Sequence, residues 1–226
     1  MLLSDGCFEI DLGLLVYGKT SYYGKKYMAA LKPLLLESED LRILVDTGIG
    51  ELPEKIVKYF KPDRSMTIEK SLRKVGLSPE DITTVVNTHL HVDHCGNNRL
   101  FKGARFVVQE IELAYAENPH RFQKGAYVKS LFDASRFRTV SGTHELTEDV
   151  TLMQTPGHTP GHQSVIVEGD KRYVYCGDIA PLKENYERRN IVGVLHNSVE
   201  ALASLDALRE MGGRPIFSHD NEQLAL

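Results

Sequence analysis

The densest chemical feature of the sequence is a short run of histidines that follows Thr88. Positions 89 to 94 read His-Leu-His-Val-Asp-His, so three histidines and one aspartate share six consecutive residues. Neutral imidazole is the commonest metal ligand in proteins, and a carboxylate adds the negative charge that holds a divalent cation. A polar surface turn would account for one histidine, whereas this density predicts a metal-binding loop.

Three further candidate ligands lie at turns later in the chain. His158 sits in a segment of prolines and glycines, which favours a rigid turn between strands. Asp178 follows a cysteine–glycine pair at the end of a predicted strand, and His219 closes the last predicted strand. Each alone is equally compatible with a structural role. Together they predict that loops from several strands meet at one edge of the sheets, where sites usually form.

The elements that position these loops can be predicted from hydrophobic periodicity and turn residues. Helices are predicted over residues 67–75 and after Asn197. Strands are predicted over residues 41–46, 82–87, 105–109, 163–167, 172–176 and 215–218, with an edge strand over 28–36 that contains Pro33. The hairpin through Gly169-Asp170 excludes a purely parallel sheet. We therefore predict a layered α/β fold with mixed sheets, in one domain over residues 1–226.

The ordered set of motifs resembles one known family. The string His89-x-His91-x-Asp93-His94, preceded by Val45-Asp46-Thr47-Gly48 and followed in order by His158, Asp178 and His219, is similar to the signatures of the metallo-β-lactamase superfamily. The resemblance runs over residues 41–220. It implies an αββα sandwich, in which two mixed β-sheets pack face to face and helices flank them.

The same resemblance implies a pair of metal ions and a ligand set for each. One ion would be held by His89, His91 and His158, the other by Asp93, His94 and His219, with Asp178 as the bridge. Asp46 would orient the site without binding metal. We expect two divalent ions, zinc in the first place, with manganese, iron or cobalt as alternatives that the same ligands accept.

Such a site predicts a dinuclear metal-dependent hydrolase. Two ions about 3.5–4 Å apart can share a hydroxide that attacks a lactone or ester carbonyl, while Asp93 passes a proton to the leaving group. The segment 157–164 resembles the N-acyl homoserine lactonase branch of the superfamily. Those lactonases carry a tyrosine three residues after the bridging aspartate, where this chain has Pro181. Tyr186 is the candidate substitute in the same predicted loop, with a packing role as the alternative.

Two other functions stay open. A thioesterase of the hydroxyacylglutathione hydrolase type would need a basic pocket, for which Lys25-Lys26 and Arg188-Arg189 are available. A non-catalytic metal-binding protein of the same fold is the second alternative. The remaining histidines (His120, His144, His162 and His196) are interpreted as structural or surface residues, and Cys95 and Cys176 as non-ligands.

The composition of the chain limits the kinds of binding partner that we expect for this protein. The net charge of -4 and the lack of a basic stretch argue against nucleic acid. The sequence has no export signal and no apolar run of about 20 residues, so we expect a cytoplasmic protein without a membrane partner. The three cysteines lack CxxC spacing and predict no disulfide framework. A small lactone or ester is the expected partner, and a homodimer is left open.

Overall fold

The computed structural model describes residues 1–223 of the chain. The strands are β1 Cys7–Asp11, β2 Lys26–Ala30, β3 Leu34–Glu37, β4 Arg42–Val45, β5 Pro62–Asp63, β6 Thr84–Val86, β7 Arg105–Gln109, β8 Phe137–Val140, β9 His144–Thr147, β10 Val150–Gln154, β11 Gln163–Val167, β12 Tyr173–Tyr175 and β13 Arg214–Ile216. The α-helices are α1 Glu54–Phe60, α2 Ile68–Lys74, α3 Val92–Cys95, α4 Glu110–Glu117, α5 Lys183–Arg188 and α6 Ser198–Met211.

Two five-stranded mixed sheets form the body of the protein. One has the order β3-β4-β6-β7-β8, in which β4, β6, β7 and β8 are parallel and β3 is antiparallel. The other has the order β13-β12-β11-β10-β9 and is antiparallel except for the parallel pair of β12 and β13. A smaller sheet with the order β2-β1-β5 lies beside them. The predicted mixture of parallel and antiparallel pairing is confirmed.

Side chains that alternate along the strands build a core on both faces of each sheet. On β4, Ile43 and Val45 pack into the layer between the sheets, whereas Leu44 packs into a cluster with α2. Successive strand side chains point to opposite faces, and a strand that is covered on both sides is therefore apolar throughout. Leu152 and Val165 fill the same central layer from the second sheet.

Helices cover the two outer faces. Ile68 and Leu72 of α2 pack with β4, β6 and β7, and Leu205 and Leu208 of α6 pack with β11 and β12. The order of layers is helix, sheet, sheet, helix, which confirms the αββα sandwich. The structure also shows that none of the helices within residues 1–223 is long and apolar enough to cross a membrane.

Most of the predicted elements occur with small changes in their ends. Thr67 caps α2 by accepting the amide hydrogen of Lys70, so the helix begins one residue later than predicted. The single edge strand predicted over residues 28–36 is wrong, because the chain forms β2 and β3 in different sheets. Pro33 lies in the break between them, and proline cannot donate a hydrogen bond to a sheet ladder.

Candidate metal centre

The chemistry-bearing side chains lie on loops that follow the ends of strands. The segment 89–94 follows β6, His158 lies between β10 and β11, Asp178 follows β12, and His219 follows β13. Parallel strands end at the same edge of a sheet, and the two sheets face each other, so these loops converge at one edge of the sandwich. The structure brings all seven candidate ligands of the sequence analysis together in two groups.

The first group consists of three buried imidazoles. His158 Nε2 lies 3.1 Å from His89 Nε2 and 3.0 Å from His91 Nδ1. Ligand atoms around a tetrahedral zinc ion are about 3.3 Å apart, given metal–nitrogen bonds of about 2.0–2.1 Å. These two separations are therefore close to what one metal ion requires, and the three residues offer ligand atoms that lie within 4.8 Å of one another.

The second group combines imidazoles with carboxylates, namely Asp93, His94, Asp178 and His219. Asp178 Oδ1 lies 3.3 Å from His94 Nε2 and 3.3 Å from His219 Nε2. Asp93 Oδ2 lies 3.4 Å from His219 Nε2 and 3.7 Å from His94 Nε2. The mixed nitrogen and oxygen donors form the kind of set that binds a borderline divalent cation.

Asp178 lies between the two groups. While its Oδ1 faces the second group, its Oδ2 lies 3.5 Å from His158 Nε2 in the first. The Ser218 hydroxyl donates to Oδ1 at 2.7 Å, which fixes the rotation of the carboxylate. One aspartate therefore presents a separate oxygen to each group of donors.

Hydrogen bonds on the far sides of the rings orient the imidazoles. His158 Nδ1 lies 2.7 Å from the Val194 carbonyl, and His219 Nδ1 lies 2.8 Å from the Ala30 carbonyl. A carbonyl oxygen can only accept, so each Nδ1 carries the hydrogen and each Nε2 keeps its lone pair for the cluster. Neither carbonyl partner could be predicted from the sequence, since no side-chain pattern marks a backbone acceptor.

The buried histidines and carboxylates at this edge of the sandwich favour a nearby positive charge. Burial lowers the pKa of His89 and His91 well below the usual histidine value, so these imidazoles are neutral donors. Burial alone would also lower the pKa of His94, but the carboxylates of Asp178 and Asp46 raise it well above its usual value. The centre therefore pairs neutral donors with carboxylates that favour a nearby cation.

One unpartnered nitrogen further indicates that these residues fit a bound pair of metal ions. His94 Nε2 is buried and has no hydrogen-bond partner within residues 1–223, although it faces two carboxylates at 3.3 Å and 3.7 Å. A buried nitrogen without a partner costs about 1–3 kcal/mol, a loss that coordination to a cation would remove. Which ions these residues bind remains a prediction.

The other residues singled out from the sequence have different surroundings. His162 is buried, with Nδ1 at 2.9 Å from the Thr155 hydroxyl and Nε2 accepting the Asp178 amide hydrogen, so it supports the loop that carries Asp178. Cys95 and Cys176 are buried and belong to hydrophobic clusters.

The structure does not bring Tyr186 to the cluster. Its ring packs against Phe217 in the layer under α6, and its hydroxyl donates to the Leu208 carbonyl at 3.4 Å. These contacts match the packing role, which was the alternative considered for Tyr186. Pro181, which occupies the position of the expected tyrosine, accepts the amide hydrogen of His219 through its carbonyl at 3.0 Å.

A cavity of about 490 Å³ lies beside the cluster. Its wall is mainly apolar, from Phe8, Ile10, Leu14, Phe60 and Val194, with Lys25, Lys26 and Tyr59 among the polar-tipped residues. The Phe8 ring meets the His219 ring edge-on at 5.6 Å, and Val194 supplies the carbonyl that binds His158. The cavity therefore touches residues that support both groups of donors.

Comparison with known proteins gives the family. The model of the metallo-beta-lactamase superfamily matches residues 34–218. An N-acyl homoserine lactonase from a Bacillus species is 34% identical over 209 residues, which span 84% of this chain and 80% of the relative. The lactonase AiiA from Bacillus thuringiensis subsp. kurstaki is 32% identical over the same shares.

Solved structures agree with the sequence comparison. An N-acyl homoserine lactone hydrolase with N-hexanoyl-L-homoserine at its catalytic metal centre has a TM-score of 0.83 and 28% identity, covering 98% of this chain and 93% of that one. A variant of AiiA from B. thuringiensis with N-decanoyl-L-homoserine bound has a TM-score of 0.85 with the same identity and coverage. The chain belongs to the metallo-beta-lactamase superfamily, and it is a hydrolase of that superfamily.

Proposed function

We propose that this protein opens the lactone ring of N-acyl homoserine lactones with a pair of divalent metal ions, zinc in the first place. The observation that carries the proposal is the position of Asp178, whose two oxygens face separate groups of donors. A carboxylate so placed is suited to bridge two ions. The names of the similar proteins support the substrate class.

The chain's own residues would hold the ions. His89, His91 and His158 supply nitrogens to one ion, Asp93, His94 and His219 supply the ligands of the other, and Asp178 is shared. When bound, such a pair supplies a Lewis acid for the carbonyl oxygen and lowers the pKa of a coordinated water towards neutrality. Zinc suits these nitrogen and carboxylate donors, which also accept manganese, iron or cobalt.

Asp93 is the candidate for proton transfer. Its side chain keeps 12% of its surface exposed, against 2% for His94 and for His219, so it is the ligand that meets the substrate side. Its Oδ2 faces the imidazoles, and no hydrogen bond within residues 1–223 engages Oδ1, so this oxygen can hold a proton. Ring opening adds water to the carbonyl carbon and breaks the ring C–O bond. One proton of that water passes to Asp93 and from there to the departing ring oxygen.

The apolar cavity fits the acyl chain of the substrate. Phe8, Ile10 and Leu14 offer an apolar wall next to His219, and each buried methylene of a chain contributes about 0.8 kcal/mol. A lactone at the metal pair could thus extend its tail into this cavity. Position 181 is proline, so this residue offers no hydroxyl to the carbonyl oxygen of the substrate.

The contacts of two of the four basic residues do not favour the thioesterase alternative, although Lys25 and Lys26 both line the cavity beside the metal centre. Arg189 makes a two-pronged contact with Asp206 at 2.6 Å, and Lys26 lies 3.2 Å from Glu9. Side chains that are engaged in this way are less available to bind the carboxylates of a glutathione thioester. The thioester therefore serves as a comparison substrate.

A substrate panel tests the proposal. We would assay N-hexanoyl homoserine lactone, a simple aryl ester and a glutathione thioester, each with and without chelator, and measure metal content in parallel. The lactone is expected to be the best substrate, and His91→Ala and Asp178→Asn should lose metal and at least about 100-fold in kcat/KM. His144→Ala, which changes a histidine of β9 outside both groups, is the matched control.

Two results would contradict the proposal. If Asp178→Asn kept both its activity on the lactone and its metal content, the assigned metal site would be wrong. A metal-loaded wild-type protein that opens no substrate of the panel would favour the non-catalytic alternative.

A further inference from the structure

Helix α4 buries a charged side chain and exposes an apolar one. Glu112 is fully buried, whereas its neighbour Ile111 keeps 49% of its surface exposed. Burial of a carboxylate without compensation is among the most costly arrangements in a protein, and helices normally turn isoleucine inward instead. The reversal indicates that the Glu112 carboxylate has partners that outweigh this cost.

Those partners come from two loops of the metal centre. Glu112 Oε1 accepts the Leu90 amide hydrogen at 2.9 Å, and Leu90 lies between His89 and His91. Glu112 Oε2 accepts the Thr159 hydroxyl at 2.6 Å, next to His158, and the Gly161 amide hydrogen at 3.3 Å. One carboxylate therefore ties together the two loops that carry the three-histidine group.

Tyr127 connects the Glu112 carboxylate to the imidazole ring of a candidate metal ligand. Its hydroxyl donates to Glu112 Oε1 at 2.9 Å, and its ring packs edge-on against the His91 imidazole with 4.7 Å between centroids. The helix must come close for these contacts, since a Cβ at Gly161 would lie 2.2 Å from the Glu112 backbone nitrogen. Glycine at position 161 makes this approach of the loop to the helix possible.

We propose that Glu112 is a positioning residue that sets the spacing of His89, His91 and His158, and thereby the metal affinity of that group alone. The inference rests on the proposed function, because it requires the metal pair. Within residues 1–223 Glu112 makes no hydrogen bond to Asp93, His94, Asp178 or His219 or to the loops that carry Asp178 and His219. Leu90 is in the segment that also carries Asp93 and His94, but those two residues lie in α3, where His94 is held by separate contacts with Asp46 and Thr47. Its loss is therefore expected to act selectively.

The test is a metal titration of Glu112→Gln, which keeps the size of the side chain. Its amide group would place N–H hydrogens against a backbone amide at either oxygen position, Leu90 at one and Gly161 at the other, because a backbone N–H can only donate. Metal-free protein is titrated with Co²⁺ in the presence of a competing chelator, and the visible absorption of each bound ion is followed. Glu117→Gln changes an exposed residue of the same helix and is the matched control.

We expect one of the two Co²⁺ sites of Glu112→Gln to weaken by about 10–100-fold, with a changed absorption band, while the other site keeps its affinity. The control should match the wild type. His91→Ala should weaken the same site, and adding Glu112→Gln to it should cause little further loss. Wild-type affinity at both sites in a folded Glu112→Gln, or equal weakening of both, would overturn the inference.

Thr159→Val and Tyr127→Phe keep the test decisive if Glu112→Gln does not fold. Each removes one donor and leaves the carboxylate with its other partners. Both are expected to weaken the same single site by about 3–10-fold, and wild-type binding in both would overturn the inference. A wild-type protein that binds no metal would instead overturn the proposed function, and the inference with it.

Discussion

Asp46 Oδ2 lies 2.8 Å from His94 Nδ1. A carboxylate only accepts hydrogen bonds, so the imidazole carries a hydrogen on Nδ1, and Nε2 is the nitrogen that faces the second group of donors. Asp46 also accepts the Thr88 amide hydrogen at 2.8 Å and the Thr88 hydroxyl at 2.9 Å. One buried aspartate thus fixes both the start of the histidine loop and the tautomer of a candidate ligand.

Asp46→Asn should weaken metal binding at the second group. The residue has a φ of +58°, which asparagine tolerates well, so the backbone should be kept. An amide rotated to serve Thr88 would place its N–H₂ against the Nδ1–H of His94 and favour the tautomer that blocks Nε2. We expect about 10–100-fold weaker binding of one ion in a chelator competition.

The matched control for this change is Asp149→Asn, which alters an exposed aspartate in the turn between β9 and β10. It should bind metal as the wild type does. Wild-type affinity in Asp46→Asn would show that the contact with His94 does not govern the ligand.

Removal of metal should destabilise the fold. The centre holds loops from both sheets together, and an ion that binds only the folded state stabilises it by about 2.7 kcal/mol when free metal is 100-fold above Kd. Two such sites amount to about 5 kcal/mol, so chelation should lower Tm by roughly 10–20 °C for a chain of this size. Thermal unfolding followed by circular dichroism measures the shift, and added zinc should restore it. An unchanged Tm after verified metal loss would contradict two strong sites.

Leu14→Asn should discriminate between long and short acyl chains. Leu14 lines the cavity beside His219 and is 45% exposed, so the change replaces an apolar wall without opening the core. We expect kcat/KM for the decanoyl lactone to fall by about 3–10-fold and that for the butanoyl lactone to stay within about twofold.

Leu41→Asn is the control for the cavity prediction, since Leu41 is similarly exposed at 38% and lies outside that cavity. It should change neither rate. Equal losses on both lactones in Leu14→Asn would place the acyl chain elsewhere.

Tyr186→Phe should leave lactone hydrolysis within about twofold of the wild type, because the hydroxyl makes only a long contact with the Leu208 carbonyl. Tyr186→Ala should instead lower the free energy of unfolding by about 2–4 kcal/mol through lost packing under α6. Denaturant unfolding and steady-state kinetics separate the two effects. A fall in kcat of tenfold or more in Tyr186→Phe would show that the tyrosine hydroxyl takes part in the reaction.

Much of the fold and of the candidate site could be predicted from the sequence, because each prediction rested on a short stretch of residues. The aliphatic and β-branched runs before Asp46 and His89 predicted strands, and the density of histidines alone marked the segment 89–94. The order of His158, Asp178 and His219 at strand ends predicted that they would meet, and the structure brings them to one edge. Their roles as ligands remain predictions.

What the sequence did not reveal depends on contacts between distant segments. Glu112 lies two residues after Glu110, and a charged residue at this position is usually part of a solvated helix face, so its burial is seen only when the surrounding loops are in place. The carbonyls of Ala30 and Val194 leave no trace in residue types, since any residue offers one. The sequence left Tyr186 with two roles, at the substrate or in packing, and in the structure its ring contacts Phe217 and its hydroxyl the Leu208 carbonyl of α6.

The most direct test of the account is a titration of metal-free protein with zinc while the opening of N-hexanoyl homoserine lactone is followed. We predict that activity is absent at the start, rises with added metal, and reaches its plateau when two ions are bound per chain, as counted by elemental analysis. Ring opening by protein shown to be metal-free, or a plateau reached without bound metal, would contradict it.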